Sequence, residues 1–412
     1  MYFDLRTKEE KKSLWLTKIP FGRAVLLILL IGGGAVWLIY SEAEDMKNEM
    51  EYSEYTIDYS FLDEISEEEV LEEEEEEEEW RFIPEPFTMD QIKTKGCVAD
   101  GFLSGYGSNT KEIAKMLDRS ECVYLHRALE TWLRPPNFEK ANEIMQKVEK
   151  RPIVYGMFLA EAVSERRSYD DPNSEYNFKF EKMCREGTKG RWGKETCIPS
   201  IQNVEYRRYL KSVTRRAMDL GIQSFLFGQI QLQDENPNFD QTEIRKVLED
   251  MREYAKEKDM QIIIGAQTNS ITDEKYLKMF DYVDGGVGIM RGGVVQSGPC
   301  HSAFSSCWAL LWHDRFSKKA NNVLIHLDWS GLVWDDMGVF ARMEKKERTD
   351  LLETLYKKYT SKDVGFLMPF LAVLHKENGG CYGPNKNFYA PSKKFKCKDE
   401  DKINEIMRKG SQ

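Results

Sequence analysis

From about residue 95 to the end, the chain alternates apolar, strand-like runs with helix-patterned ones, and the alternation repeats eight times. "GCVADGFLSG" is followed by "TKEIAKMLDR", "ECVYLHRALETW" by "FEKANEIMQKVEK", and "RPIVYGMFLAEA", after an insertion, by "VEYRRYLKSVTRRAMDLG". The series continues with "IQSFLFGQIQLQ" and "TEIRKVLEDMREYAKEKD", then "QIIIGAQTN" and "DEKYLKMF", then "DYVDGGVGIM" and "AFSSCWALLWHDRFSKKA". It closes with "NNVLIHLDWSG" and "EKKERTDLLETLYKKYT", then "VGFLMPFLAVLH" and "DEDKINEIMRKG". Strict βα alternation of this length predicts an α/β fold, a (β/α)8 barrel closed on itself, over residues 82–412. The competing open, doubly wound sheet usually carries a glycine fingerprint after its first strand, and none follows "GCVADGFL".

In such a barrel the functional rim lies at the C-terminal strand ends, and side chains alternate between the axis and the helices. In "NNVLIHLDWSG" the all-apolar set Val323, Ile325 and Leu327 must face the helices, which turns His326 and Asp328 towards the axis. The same parity places Tyr124, His126 and Glu130 together on the second strand and carries Glu161 to the end of the third. Gln229 and Gln231 line the fourth, Gln267 the fifth, Asp100 ends the first and His375 the eighth. Carboxylates, amides and imidazoles from several strands thus converge on one polar mouth, the arrangement of a binding cavity.

Two carboxylates across a pocket are the minimum apparatus for glycoside hydrolysis, one donating a proton to the leaving oxygen and the other acting as base or nucleophile. Glu161 and Asp328 stand nearly opposite in an eight-membered ring, with Glu130 the alternative partner, and Asp100, His126 and His326 in supporting positions. Trp132 and Trp329 follow acids at strand ends, where a flat ring beside amides and carboxylates grips a polyol. Arg291, in the glycine-rich "DGGVGIMRGG", is a candidate for pairing an anion. With no CxxC, HExxH or comparable spacing, no metal or other cofactor is expected.

In architecture and rim composition the chain resembles the TIM-barrel glycoside hydrolases, from about residue 95 to the end, without any specific family signature. The resemblance implies cleavage of O-glycosyl bonds in a polysaccharide or glycan by carboxylate acid/base chemistry. Two departures stand out: glutamines occupy the fourth-strand end ("FLFGQIQLQDE") where many retaining members carry their acid, and no chitinase-like DxxDxDxE is present. A barrel that binds glycans without cutting them fits those glutamines. "LHRALET" also resembles the His-Arg-then-Glu opening of glycerophosphodiester phosphodiesterases, a third reading that lacks the further metal-binding acids such a site needs.

The N-terminal segments are of another kind. Ala24 to Tyr40 is uncharged, preceded by Lys11, Lys12, Lys18 and Arg23 and followed by acids, which predicts a single-pass signal anchor over 24–41 with a cytoplasmic leader, 1–23. A cleaved signal peptide ending near "SEA" is the alternative, and either exports the rest. Residues 42–81 form an acidic low-complexity stalk; twenty acids and one lysine give residues 41–80 a net charge of −19. Residues 82–412 are mildly basic, without the Lys/Arg stripe of a nucleic-acid binder, so the expected partners are a glycan and the membrane. Outside the cytoplasm cysteines pair, and Cys184–Cys197 and Cys381–Cys397 are the expected disulfides, with Cys97 and Cys122 as buried thiols on neighbouring strands. The long loops 163–201 and 376–398 are expected to build the cleft.

Overall fold

The computed structural model describes residues 84–236, 241–301, 307–329, 335–375, 378–383 and 386–410. The expected leader, anchor and stalk fall in residues 1–81, outside the described residues, among which no helix is long and apolar enough to cross a membrane.

Eight parallel strands form the centre. They are β1 (Gly96–Ala99), β2 (Tyr124–Glu130), β3 (Val154–Leu159), β4 (Ser224–Phe227), β5 (Ile263–Ala266), β6 (Tyr282–Gly286), β7 (Val323–His326) and β8, which is Gly365–Phe366 and Met368–Val373 interrupted at Leu367. Each pairs with its sequence neighbour. The first half of β8 pairs with β7, Leu324 opposite Gly365, and the second half with β1, Cys97 opposite Met368. The ring is therefore closed, and the open doubly wound sheet is excluded because it would leave two edges.

Every residue of these strands is buried, including all seven of β2, as expected for strands sandwiched between helices and a filled axis. The helices after β1 to β8 are, in order, α1 (Thr110–Asp118), α2 (Phe138–Gln146), α3 (Val204–Asp219), α4 (Thr242–Glu257), α5 (Glu274–Leu277), α6 (Asp314–Ser317), α7 (Lys345–Thr360) and α8 (Glu400–Gly410). α4 shows why they form: Ile244, Val247, Leu248, Met251 and Ala255 recur at helical spacing and are the residues it buries. Asn109 and Asn137 cap α1 and α2, accepting from the backbone N–H of Glu112 and Lys140.

Two helices are shorter than their sequence pattern suggests. α5 is a single turn. After β6 the run expected as one long helix, 303–320, instead contains the short strand Trp308–Ala309, paired antiparallel with Cys300–His301, and then the one-turn α6. A disulfide between Cys300 and Cys307 closes that hairpin, a constraint a helix does not accommodate. The Cys184–Cys197 and Cys381–Cys397 pairs are present. Cys97 and Cys122 are not thiols: their Cα atoms lie 5.8 Å apart and they form a disulfide between β1 and the segment entering β2.

At the barrel axis, small residues make room for two tyrosines. Tyr124 and Tyr282 reach inward from β2 and β6, and their hydroxyls lie 2.9 and 3.3 Å from Ser224 Oγ on β4. Gly265 of β5 makes room, since a Cβ there would sit 2.2 Å from the Tyr282 ring. Outside, Arg119 bonds Glu400 while Lys394 bonds Glu112, tying α8 to α1 across the point where the ring closes.

A buried polar network at the C-terminal rim

Above the tyrosine layer the axis turns ionic. His126 (β2), Asp284 (β6) and His326 (β7) are all buried, with His126 Nε2 3.1 Å from Asp284 Oδ1 and His326 Nε2 3.2 Å from Asp284 Oδ2. Tyr124 Oη lies 2.6 Å from His126 Nδ1, and Gln267 Nε2 donates to Asp284 Oδ2 at 3.2 Å. Although Asp284 is buried, the two imidazoles hold its carboxyl far below the usual range. Burial works against a proton on His326, but the Asp284 carboxylate outweighs it and raises that imidazole to about 9; burial lowers His126.

β2 supplies a second centre by breaking its own regularity. Its pairing with β3 shifts register between Leu125 and Leu129, and Arg127 adopts a left-handed backbone, φ 57°. Gly156 on β3 permits this, because a Cβ there would lie 3.0 Å from Leu125 O and 3.2 Å from Arg127 N. Sequence parity sends Arg127 towards the helices, but the kink turns it inward, over the Phe158 ring at 4.2 Å. Its Nε is 3.0 Å from Asp100 Oδ1 and 3.7 Å from Glu130 Oε1, and its Nη1 is 3.8 Å from Asp328 Oδ1. Burial raises Glu130 to about 8 and Asp100 to about 6 against the pull of Arg127. Both are thereby biased towards the neutral acid.

Glu161 lies just past β3 and is likewise buried, which raises its carboxyl. Gln229 Nε2 donates to its Oε1, while Oε2 is buried and accepts no hydrogen bond. Trp192, from the long loop after β3, donates from Nε1 to the Glu161 carbonyl at 2.9 Å and packs on Trp132, ring centroids 5.5 Å apart. Trp132 is thus the wall that seats this loop.

Beyond the rim lies a small cleft lined by Gly286, Gly288, His301, Trp308, Leu310, Asp328, Asp335 and Asp336. Of the expected catalytic acids, only Asp328 lines it; Glu130 and Glu161 lie behind in the polar network. Asp336 has a structural task, accepting backbone N–H bonds from Gly288 (3.1 Å), Ile289 (2.7 Å) and Asp328 (3.3 Å), which pin the β6 loop to the end of β7. Burial still raises it to about 6.

The other expected positions divide. Gln267 joins the network, its Oε1 accepting from Gln229 N at 3.4 Å. Gln229 and Gln231 are not strand residues: β4 stops at Phe227, Gln229 is left-handed at φ 30°, and Gln231 is a partly exposed member of the helical turn Ile230–Gln233. Trp329 is half-buried with the Arg127 guanidinium 5.8 Å from its ring, and its backbone N–H donates to Asp328 Oδ1 at 2.9 Å. Arg291 is exposed on the 3-10 turn Arg291–Gly293, and His375 is half-buried beyond β8. Asp284, Arg127, Trp308 and His301 are additions to the expected set. Asp284 shares inward parity with Tyr282 and Gly286, so the rule that selected His326 reaches it too.

No family model matches the chain, and no curated protein matches it. Solved structures to which it is similar include the trehalose-6-phosphate hydrolase of Bacillus licheniformis, at 10% identity and a TM-score of 0.38, over 67% of this chain and 64% of that one. The chain therefore spans just under two thirds of that enzyme's length. Others are the cyclic α-maltosyl-(1→6)-maltose hydrolase of Arthrobacter globiformis in complex with maltose, 13% identical over 77% of each chain with a TM-score of 0.42, and a β-L-arabinopyranosidase of Geobacillus stearothermophilus, 10% identical over 68% of this chain and 61% of that one with a TM-score of 0.31.

Proposed function

We propose that the barrel hydrolyses O-glycosyl bonds in a polysaccharide or glycan, with Glu161 as proton donor, Asp328 as the carboxylate at the cleft, and Glu130 as a second protonated acid beside them. The carrying observation is the contrast between these carboxyls. Glu161 is held towards its neutral form by burial with one oxygen unbonded, whereas Asp328 faces the Arg127 guanidinium and opens on the cleft. Acids whose environments differ in this way divide naturally into donor and base or nucleophile. Trp308 in the cleft wall, with Trp329 beside Asp328, supplies aromatic faces for a sugar ring.

One observation favours a second reading, a barrel that binds glycans without cutting them. Arg127 already pairs with Asp100, Glu130 and Asp328, and the β4 end offers Gln229 in place of an acid. For localisation we infer an N-terminal anchor with the barrel outside the cytoplasm. Pairing of all eight cysteines supports an oxidising compartment.

The test is hydrolysis of a panel of cell-surface polysaccharides by the purified full-length protein, with Glu161→Gln and Asp328→Asn in parallel. General acid–base catalysis predicts a loss of about 10²–10⁴-fold in each variant. Glycan binding without cleavage, weakened by Trp308→Ala or Trp329→Ala, would replace the hydrolase reading with the receptor one.

A further inference from the structure

We infer that His126, Asp284 and His326 form a binding site for one divalent first-row transition metal ion of the zinc class, buried on the barrel axis beneath the cleft.

The three residues come from β2, β6 and β7, and one ligand atom from each lies within 4.8 Å of the other two. Two imidazoles and one carboxylate are a donor set that suits zinc, iron(II) and their neighbours better than magnesium or calcium. His126 Nε2 lies 3.1 Å from Asp284 Oδ1 and His326 Nε2 lies 3.2 Å from Asp284 Oδ2, so the carboxylate offers one oxygen beside each imidazole and would meet a shared ion in bidentate fashion.

Hydrogen bonding alone leaves this arrangement incomplete. His126 Nε2 and Asp284 Oδ1 stand at ion-pair distance, yet both are buried and neither makes an aligned hydrogen bond. Two groups that face each other without aiming at each other are what a shared third atom produces. Such unsatisfied buried groups are costly, and a cation removes the cost for both. The outer contacts are those of a metal centre too: Tyr124 Oη meets His126 Nδ1 and Gln267 Nε2 bonds Asp284 Oδ2, which fixes ring and carboxylate orientation. Gly286 and Asp328, two residues after Asp284 and His326 on the same strands, line the cleft.

The experiment uses the full-length protein stripped with a chelator and titrated with Co²⁺ and then Zn²⁺, without any substrate, so its outcome is independent of whether the protein cleaves glycans. One equivalent of Co²⁺ should bind, giving visible d–d absorption that Zn²⁺ abolishes, and Zn²⁺ should raise the melting temperature. His126→Gln and His326→Gln should each lose the spectrum and at least tenfold in affinity, with folding verified by near-ultraviolet circular dichroism. His313→Ala, on the half-buried cap of α6, should bind as the parent does. Absence of stoichiometric binding in the parent overturns the site, as does full-strength binding in folded His326→Gln.

Discussion

Glu130 gives the most direct handle on the rim. Burial raises its carboxyl from 4.5 to about 8, so at pH 7 the folded protein holds a proton there that the unfolded chain has released. The native state then binds more protons than the unfolded one between pH 4.5 and 8, and stability falls as pH rises through that window by about 1.4 kcal/mol per pH unit for this one group. Its contribution is complete below about pH 4.5 and diminished by about 3 kcal/mol at pH 7. Glu130→Gln replaces the neutral acid with an amide of the same shape that needs no proton. The variant is expected to match the parent at pH 4.5 and to exceed it by about 3 kcal/mol at pH 7, while losing part of the parent's pH dependence. Denaturant unfolding of both proteins at pH 4.5, 6, 7 and 8, disulfides intact, measures this. A variant less stable than the parent at pH 7, or one with the parent's full pH slope, would show that Glu130 is ionised beside Arg127 and refute the assignment of a buried acid.

Three further perturbations probe other links. Gly228→Ala places a Cβ 2.3 Å from Glu161 Oε2 and 2.5 Å from Phe158 Cζ. It should cost about 1–3 kcal/mol in a thermal melt and up to about 100-fold in hydrolysis by displacing the acid, while Gly298→Ala, whose nearest neighbour is 3.9 Å away, should change neither. Asp399→Ala strands Arg348, which bonds that carboxylate through Nε at 2.8 Å and Nη2 at 3.1 Å, and should destabilise the domain by about 3–5 kcal/mol on denaturant unfolding. Replacing Cys184 and Cys197 together with serine opens a loop closed over a sequence separation of 13 and should lower stability by about 3 kcal/mol, read from the denaturant midpoint.

The eight-fold alternation is legible in the sequence because each strand is apolar towards its helices, and parity follows wherever the strand stays regular, as at His326 and Asp328. Legibility ends where the backbone departs from alternation. Arg127 turns inward through a left-handed kink that depends on Gly156 of the next strand, a tertiary fact invisible in "LHRALET". Gln229 and Gln231 fail for a similar reason, since a left-handed residue converts the expected strand end into a helical turn. The run around "CWALLW" is ambiguous by periodicity, because a short apolar stretch suits helix or strand equally. Its cysteines seven residues apart decide for a hairpin, which brings Trp308 and His301 to the cleft. Asp284 is different: it shares the inward parity of Tyr282 and Gly286, so the rule that selects His326 reaches it as well.

The rim gathers Asp100, Glu130, Glu161, Asp284 and Asp328, and among the cations set against them are Arg127, beside Asp100, Glu130 and Asp328, and Arg134, whose charge acts on Glu130. A buried excess of carboxyls is tolerable only if some are protonated, which is the direction burial imposes on Glu130, Asp100 and Glu161. Some of their buried oxygens accept no hydrogen bond, among them Glu130 Oε1 and Glu161 Oε2. On the readings proposed above, a glycan would donate hydroxyls to Asp328, which lines the cleft, and a divalent cation would satisfy Asp284 and its histidines from within. Burying these carboxyls costs stability, and the proposed glycan and metal ion would each offset part of that cost.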